Sequence, residues 1–214
     1  MTRPRLLDLF CCQGGAAMGY SRAGFDVVGV DIVAQPRYPF EFHQGDALEY
    51  LAAHGHEFDA IHASPPCQAY SATKSHPNVG AHPDLVGPTR DLLRVSGKPY
   101  AIENVPGAPL LNYVTLCGTM FGLRVIRHRL FECSPALLFA PFSCRHHLPV
   151  VKWGKSPNPD NEFHSVVGHL SNVPYARAAM GIDWMAQDGL AQAIPPAYTE
   201  FIGRHLLEAL KATP

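Results

Sequence analysis

The sequence predicts an α/β fold on a mostly parallel, doubly wound sheet, and three observations predict it. Short apolar runs alternate with helical stretches through the first half of the chain. The 214 residues are 47% hydrophobic, enough for one sizeable domain with a small appendage. The candidate chemistry also falls at one kind of place: Phe10, Asp31, Cys67 and Glu103 each stand where a predicted strand leaves the core. In open parallel sheets, ligands bind beyond the carboxyl ends of the strands.

In chain order, "RLLDLF" reads as a buried strand and "GGAAMGYSRAGF" as a Gly-rich turn opening a short helix. "DVVGVDI", rich in β-branched residues, is a second strand. "GDALEYLAAHG" has helical spacing at Leu48, Leu51 and Ala52, with Asp46 placed to cap it. "FDAIHA" is a strand, "DLLRVSG" the end of a helix, and "KPYAIENV" a strand stopped by Pro106 and Gly107. This alternation implies a parallel sheet covered by helices on both faces.

Composition excludes several classes. No apolar stretch approaches the ~20 residues of a membrane span, so no membrane partner is expected. The start, "MTRPRLLDLF", lacks the features of a signal peptide. Six sparse cysteines do not form a disulfide framework, and a reduced, cytoplasmic protein is expected. A net charge of -1 gives no nucleic-acid signature by itself, and the twelve histidines are scattered.

Three segments carry candidate chemistry. In "DLFCCQGGAAMGY", a Gly-rich turn between strand and helix lets backbone N–H groups approach a cofactor, and Asp31 after the next strand suits the hydroxyls of a ribose. The turn lacks G-x-G-x-x-G, so cofactor binding and tight packing both remain open there. In "DAIHASPPCQAYS", Pro65 and Pro66 stiffen the chain just before Cys67, and the polar Gln68, Tyr70 and Ser71 follow. Cys67 either fills an apolar hole as an inert thiol or is presented to react. In "YAIENV", Glu103 and Asn104 leave the core, with the acid either solvated or working. A thiol nucleophile and a carboxylic acid together suit covalent attack on an electron-poor ring, with the acid protonating a ring nitrogen.

Taken in order, "DLFCCQGG", "DAIHASPPCQAYS", "YAIENVPGAP" and "RHRLFE" resemble the cytosine-5 DNA methyltransferase family, as do "YARAAMGIDWM" and "AIPPAYTEFIG" near the end. The resemblance runs from Leu7 to about Gly203 and implies a Rossmann-like, S-adenosylmethionine-dependent fold. It implies that Phe10, Gly14 and Gly15 line the cofactor pocket, Asp31 holds the ribose and Asp46 faces the adenine, with Gln192 of the last motif also at the cofactor. Cys67 would attack carbon 6 of cytosine, and Glu103, positioned with Asn104, would engage N3. Arg127 and Arg129 would hold the base or the active-site loop. DNA is the implied partner, with the target base flipped out or already unpaired.

The chain departs from the family pattern at Cys12, where a glycine is usual in the first loop, at Val125 in place of Gln, and at Gln192 in place of Asn. A side chain at position 12 would crowd the cofactor or demand another backbone geometry. The expected organisation is a catalytic core over 1–132, a reduced variable segment over 133–174, and closing motifs over 175–214. So short a variable segment resembles the compact enzymes of phages and prophages, and implies a short target site or a protein partner that supplies recognition. From Arg124 to Lys155 the basic residues Arg124, Arg127, Arg129, Arg145, Lys152 and Lys155 face Glu132 alone, a candidate phosphate-binding patch beside Trp153 and "SPNPDN". Cys133, Cys144, His146 and His147 match no standard zinc-finger spacing, so no metal is expected. Two alternatives stand: methyl transfer to RNA or a free cytosine nucleotide, and a non-enzymatic descendant that binds nucleic acid or a partner.

Overall fold

The computed structural model describes residues 2–68, 70, 83–137, 141–151, 155, 158, 160–168, 170 and 172–212. Ser71, Lys152, Trp153 and part of "SPNPDN" lie outside the described residues. The strands are β1 (Arg5–Leu9), β2 (Asp26–Asp31), β3 (Glu41–Gln44), β4 (Ala60–Ala63), β5 (Tyr100–Asn104), β6 (Val114–Leu116) and β7 (Arg129–Ser134). The helices are α1 (Gly15–Ala23), α2 (Ala47–His54), α3 (Val86–Ser96), α4 (Val173–Met180), α5 (Gln187–Gln192) and α6 (Pro196–Ala212).

The strands form one sheet in the order β3-β2-β1-β4-β5-β7-β6. β3, β2, β1, β4 and β5 are mutually parallel, and β7 runs antiparallel to both β5 and β6. The strand order reverses between β1 and β4, which opens a crevice at their carboxyl ends. The strands and helices expected from the first half of the chain are present. Asp46 caps α2 as expected, its Oδ1 accepting from the N–H groups of Leu48 and Glu49. The buried face of α2 is Ala47 and Leu51, whereas Ala52 is exposed.

Alternation along the strands sends side chains into two cores. Leu7, Leu9, Val28, Ile61 and Ile102 pack with α2 and α3 on one face. Leu6, Val27, Ala60 and Ala101 face the other way, toward Tyr20 of α1 and Tyr198, Ile202 and Leu206 of α6. A third cluster, including Val125, Val166, Met180 and Leu190, fixes α4 and α5. Polar residues share the α1/α6 face. Asp8 pairs with His62 across β1 and β4, His62 with Ala101 across β4 and β5, and Glu103 follows two residues along β5.

Secondary structure crosses both expected segment boundaries. β7 runs through Cys133 to Ser134, paired with Ala101 and Tyr100, so the core extends past residue 132. α4 begins at Val173, before the expected start of the closing motifs. Between them, parallel bridges join Val125 to His164 and Val150 to Phe163, folding the intervening chain back onto the core.

Candidate active site

The crevice is a cavity of about 560 Å³. Phe10, Cys12, Gly15, Asp31 and Asp46 line it, as do Cys67, Glu103, Arg127, Arg129 and Gln192. The structure therefore brings together residues spread over more than 180 positions, because the carboxyl ends of β1, β2, β4 and β5 converge there and α6 returns the last motif to α1. Thr199 of α6 donates to the Ala16 carbonyl of α1 (2.8 Å), which fixes that return.

The first loop is strained where it meets the cavity. Phe10 and Cys12 have φ of 59° and 44°, the left-handed region that costs an ordinary side chain roughly 1–3 kcal/mol. The family's glycine at position 12 would adopt that conformation freely. Cys12 holds a left-handed backbone that a glycine adopts without cost. Its N–H donates to Asp31 Oδ2 (2.9 Å), and its thiol points to Gln192 Oε1 (3.7 Å). Asp31 Oδ1 accepts from the Val33 N–H (3.0 Å), which fixes the carboxylate at the end of β2.

Two glycines expected in the pocket serve packing as well. Gly15 lines the cavity, and a Cβ there would fall 2.5 Å from the Ile194 carbonyl oxygen. Gly14 does not line the cavity. Its φ is 82°, and a Cβ would fall 2.8 Å from Pro39 and 3.0 Å from Tyr38, so it admits that pair rather than a cofactor.

Cys67 follows β4 by four residues, in the loop stiffened by Pro65 and Pro66, and is half-buried. Asn104 does not line the cavity but sits beneath this loop. Its Nδ2 donates to the Pro65 carbonyl (2.9 Å), and its Oδ1 accepts from the Val105 N–H (2.9 Å). Asn104 is thus a positioning residue for the cysteine loop.

Glu103 is buried, and burial raises its carboxyl above the usual carboxylate range, opposed by Arg129, Arg127 and a hydrogen bond from Ser64. Arg129 Nε stands 2.9 Å from Glu103 Oε1 as an ion pair. The N–H is not aligned for a hydrogen bond, so Oε1 has no hydrogen-bond partner among the described residues. Arg127 is fully enclosed, its guanidinium donating to the carbonyls of Val166 (2.6 Å) and Ala191 (2.8 Å). Burial, reinforced by the neighbouring Arg129, lowers its pKa to about 9, which leaves it charged at neutral pH.

Behind Glu103 runs a buried relay absent from the sequence reading. Tyr20 Oη lies 2.8 Å from His62 Nδ1, His62 Nε2 lies 2.9 Å from Ser64 Oγ, and Ser64 acts on Glu103 to lower its pKa. One tautomer satisfies both contacts of the imidazole: Tyr20 donates to Nδ1 and Nε2–H donates to Ser64. Asp8 was also missed. It is fully buried, burial raises its pKa to about 8, and its Oδ1 has no hydrogen-bond partner among the described residues, although the residue lines the cavity. The alternation of β1, β4 and β5 holds the only sequence signal for these residues, since it puts Asp8, His62 and Glu103 on one face.

Among the described residues of the expected basic patch, Arg127 and Arg129 turn into the site, whereas Arg145 and Lys155 are exposed. Arg127 is buried in the site, Arg129 is paired with Glu103, and Arg124 donates to the Asp160 carbonyl (3.0 Å). Glu132, their expected counter-charge, is bound instead by Arg90 of α3 at 2.7 and 2.8 Å.

The strand order, the antiparallel β7 and the cavity at the switch point define a Rossmann-like fold of the S-adenosylmethionine-dependent methyltransferase type. Comparison with known proteins agrees with the resemblance seen in the motifs. The type II methyltransferase M.XorII of Xanthomonas oryzae pv. oryzae is 29% identical over 124 residues, covering 50% of this chain; the chain spans 29% of the length of that relative. The Dnmt2 methyltransferase of S. pombe superposes with a TM-score of 0.59 at 14% identity, covering 97% of this chain and 99% of that one. A protein of an E. coli prophage, described as a DNA modification methyltransferase, gives 0.58 at 15% identity, covering 97% and 99%. At such identities these two structures speak for the fold. No protein-family model matches the chain. Among the described residues, no helix is long and apolar enough to cross a membrane.

Proposed function

We propose that this chain transfers a methyl group from S-adenosylmethionine to carbon 5 of cytosine in DNA through a covalent adduct of Cys67. The observation that carries the reading is the single cavity that joins Cys67, Glu103 and Arg129 to Phe10, Asp31 and Asp46. One end offers a nucleophile and an acid, and the other offers a fixed carboxylate and a helix cap suited to a nucleoside.

The residues present fit the cofactor. Asp31 is oriented by two backbone N–H groups and retains lone pairs for ribose hydroxyls. Asp46 caps α2 through Oδ1 alone, which leaves Oδ2 for an adenine amine. The unpartnered Asp8 Oδ1 offers a further polar contact. When bound, S-adenosylmethionine supplies an electrophilic methyl group on its sulfonium sulfur.

The protein's own groups carry the remaining steps. The Cys67 thiolate adds to carbon 6 of the extruded cytosine, and N3 takes a proton or hydrogen bond from Glu103, whose raised pKa keeps more of it in the acid form. Addition pushes electron density to carbon 5, which would accept the methyl group that S-adenosylmethionine supplies, with S-adenosylhomocysteine as the thioether left behind. Loss of the proton from carbon 5 then expels Cys67 and restores the aromatic ring. Arg129 holds Glu103, while Arg127 ties the site to the 166 segment and to α5.

The test is incubation of the protein and S-adenosylmethionine with DNA carrying 5-fluorocytosine, followed by mass spectrometry under denaturing conditions. Fluorine does not leave as a proton does, so a stable adduct at Cys67 is expected. Parallel arms with single-stranded DNA, RNA and the free nucleotide identify the substrate. No adduct in any arm while the cofactor still binds would overturn the proposed chemistry.

A further inference from the structure

Outside the cavity, two thiols and two imidazoles from three separate segments converge. Cys117 follows β6 and is buried, at the start of the 3₁₀ turn Gly118–Phe121. His128 stands between Arg127 and Arg129, and Cys144 and His146 come from the chain beyond β7. Their four ligand atoms all lie within 4.8 Å of one another, the one such cluster found among the described residues.

Two of the sulfur–nitrogen separations match the edges of a zinc tetrahedron, and a third falls short of one. Zn–S of ~2.3 Å and Zn–N of ~2.05 Å give tetrahedral S···N edges of about 3.6 Å. Cys117 Sγ is 3.4 Å from His146 Nε2, and Cys144 Sγ is 3.5 Å from His128 Nε2. Cys144 Sγ and His146 Nε2, at 2.6 Å, need to part by about 1 Å to span such an edge. Thr119 Oγ1 lies 3.5 Å from both sulfurs, placed to donate to a thiolate, and accepts from the Arg145 N–H (3.2 Å). A set of two sulfurs and two nitrogens with no carboxylate selects zinc over the hard cations.

We propose that Cys117, His128, Cys144 and His146 bind one Zn²⁺ in a closed structural site. It fastens the segment beyond β7 to the loop after β6 and to the residue between the two active-site arginines. The ligand set differs from the four residues that sequence spacing offered. Cys133 is buried in β7 instead, and His147 packs against Phe163.

Metal analysis of the purified chain, followed by cobalt(II) titration of the metal-stripped protein, tests this without reference to activity. One zinc per chain is expected, and cobalt should give the visible bands of tetrahedral thiolate coordination. Cys117→Ser and Cys144→Ser should each weaken binding by more than about a hundredfold, since even outer-shell partners alter metal affinity by about 10–100-fold. Cys133→Ala and His147→Gln should bind as the parent does. Because Cys117→Ser alters a buried position, alkylation of the parent protein supplies a second readout: zinc should protect Cys144 from iodoacetamide. Absence of stoichiometric binding, parent-like binding by either serine variant, loss of binding in either control variant, or an alkylation rate indifferent to zinc would overturn the proposal.

Discussion

His62 gives the clearest quantitative test of the buried relay behind Glu103. The side chain is fully buried between Tyr20 and Ser64, and burial alone pushes its pKa from 6.5 down to about 3. The unfolded chain therefore takes up a proton below pH 6.5, whereas the native imidazole stays neutral until about pH 3. Between those limits the unfolded state binds more protons, so stability rises with pH. The contribution is whole above pH 6.5 and is lost as pH falls toward 3. At ~1.4 kcal/mol per unit, the loss is about 2 kcal/mol at pH 5 and about 3.4 kcal/mol at pH 4. His62→Gln removes this titration while keeping an amide in the relay. The assay is urea unfolding of both proteins from about pH 7.5 to about pH 4. The stability of the parent relative to the variant should shrink by about 2 kcal/mol by pH 5, while groups common to both cancel. Parallel acid limbs would show that His62 is not held neutral by burial, and the tautomer assigned to the relay would fall with it.

The other outcomes follow from the same site. Cys67→Ser should lower methyl transfer by orders of magnitude and leave cofactor affinity, measured by calorimetry, nearly unchanged; retained transfer would remove Cys67 as the nucleophile. Glu103→Gln should show the same pattern in turnover assays with some residual activity, because the amide still hydrogen-bonds N3 but delivers no proton. Asn104→Ala strands the Pro65 carbonyl and the Val105 N–H, at about 1–3 kcal/mol for each buried group left unpaired, and releases the cysteine loop. Turnover should fall by about 100-fold, with cofactor affinity preserved. Asp8, raised from 3.8 to about 8, works opposite to His62: the native state holds the extra proton, so stability falls as pH rises from 3.8 to 8. At pH 7 this amounts to about 4 kcal/mol, and Asp8→Asn should recover much of it in urea unfolding at pH 7 but not at pH 4.

The sheet was legible where strands are buried on both faces. "RLLDLF", "DVVGVDI" and "FDAIHA" are apolar runs with nowhere to go but a core, and their order implied the crossovers. β3 escaped because "EFHQ" is an edge strand with polar, largely exposed residues, β6 because "VTL" is short and partly exposed, and β7 because Glu132 interrupts the apolar run of "RLFECS". At the site, local chemistry revealed Cys67, Glu103 and Asp31. Asn104 was legible as a neighbour of Glu103, yet its task is set by the Pro65 carbonyl, 39 residues away. The charge count from Arg124 to Lys155 misled because sequence does not tell a solvated arginine from one locked on backbone carbonyls, as Arg127 is. The metal-ligand set was half visible: Cys144 and His146 are two residues apart, but Cys117 and His128 join them only once β6 and β7 have paired.

Cys12 shows how a departure from a motif is absorbed. The first loop requires a left-handed residue between β1 and α1, a conformation whose cost falls on the backbone whatever the side chain does. The cysteine accepts that cost because its N–H is held by Asp31, the carboxylate that closes β2, so one contact stabilises the strained loop and orients the acid. Its thiol then fills the space beside Gln192, the other position where the chain departs from the family pattern. The two departures therefore touch, bridging residues 180 positions apart across the wall of the cavity. A glycine at 12 needs no such neighbour, and an asparagine at 192 is one methylene shorter. Cys12 and Gln192 meet at one thiol–amide contact, beside the Asp31 carboxylate that holds the strained backbone of the loop.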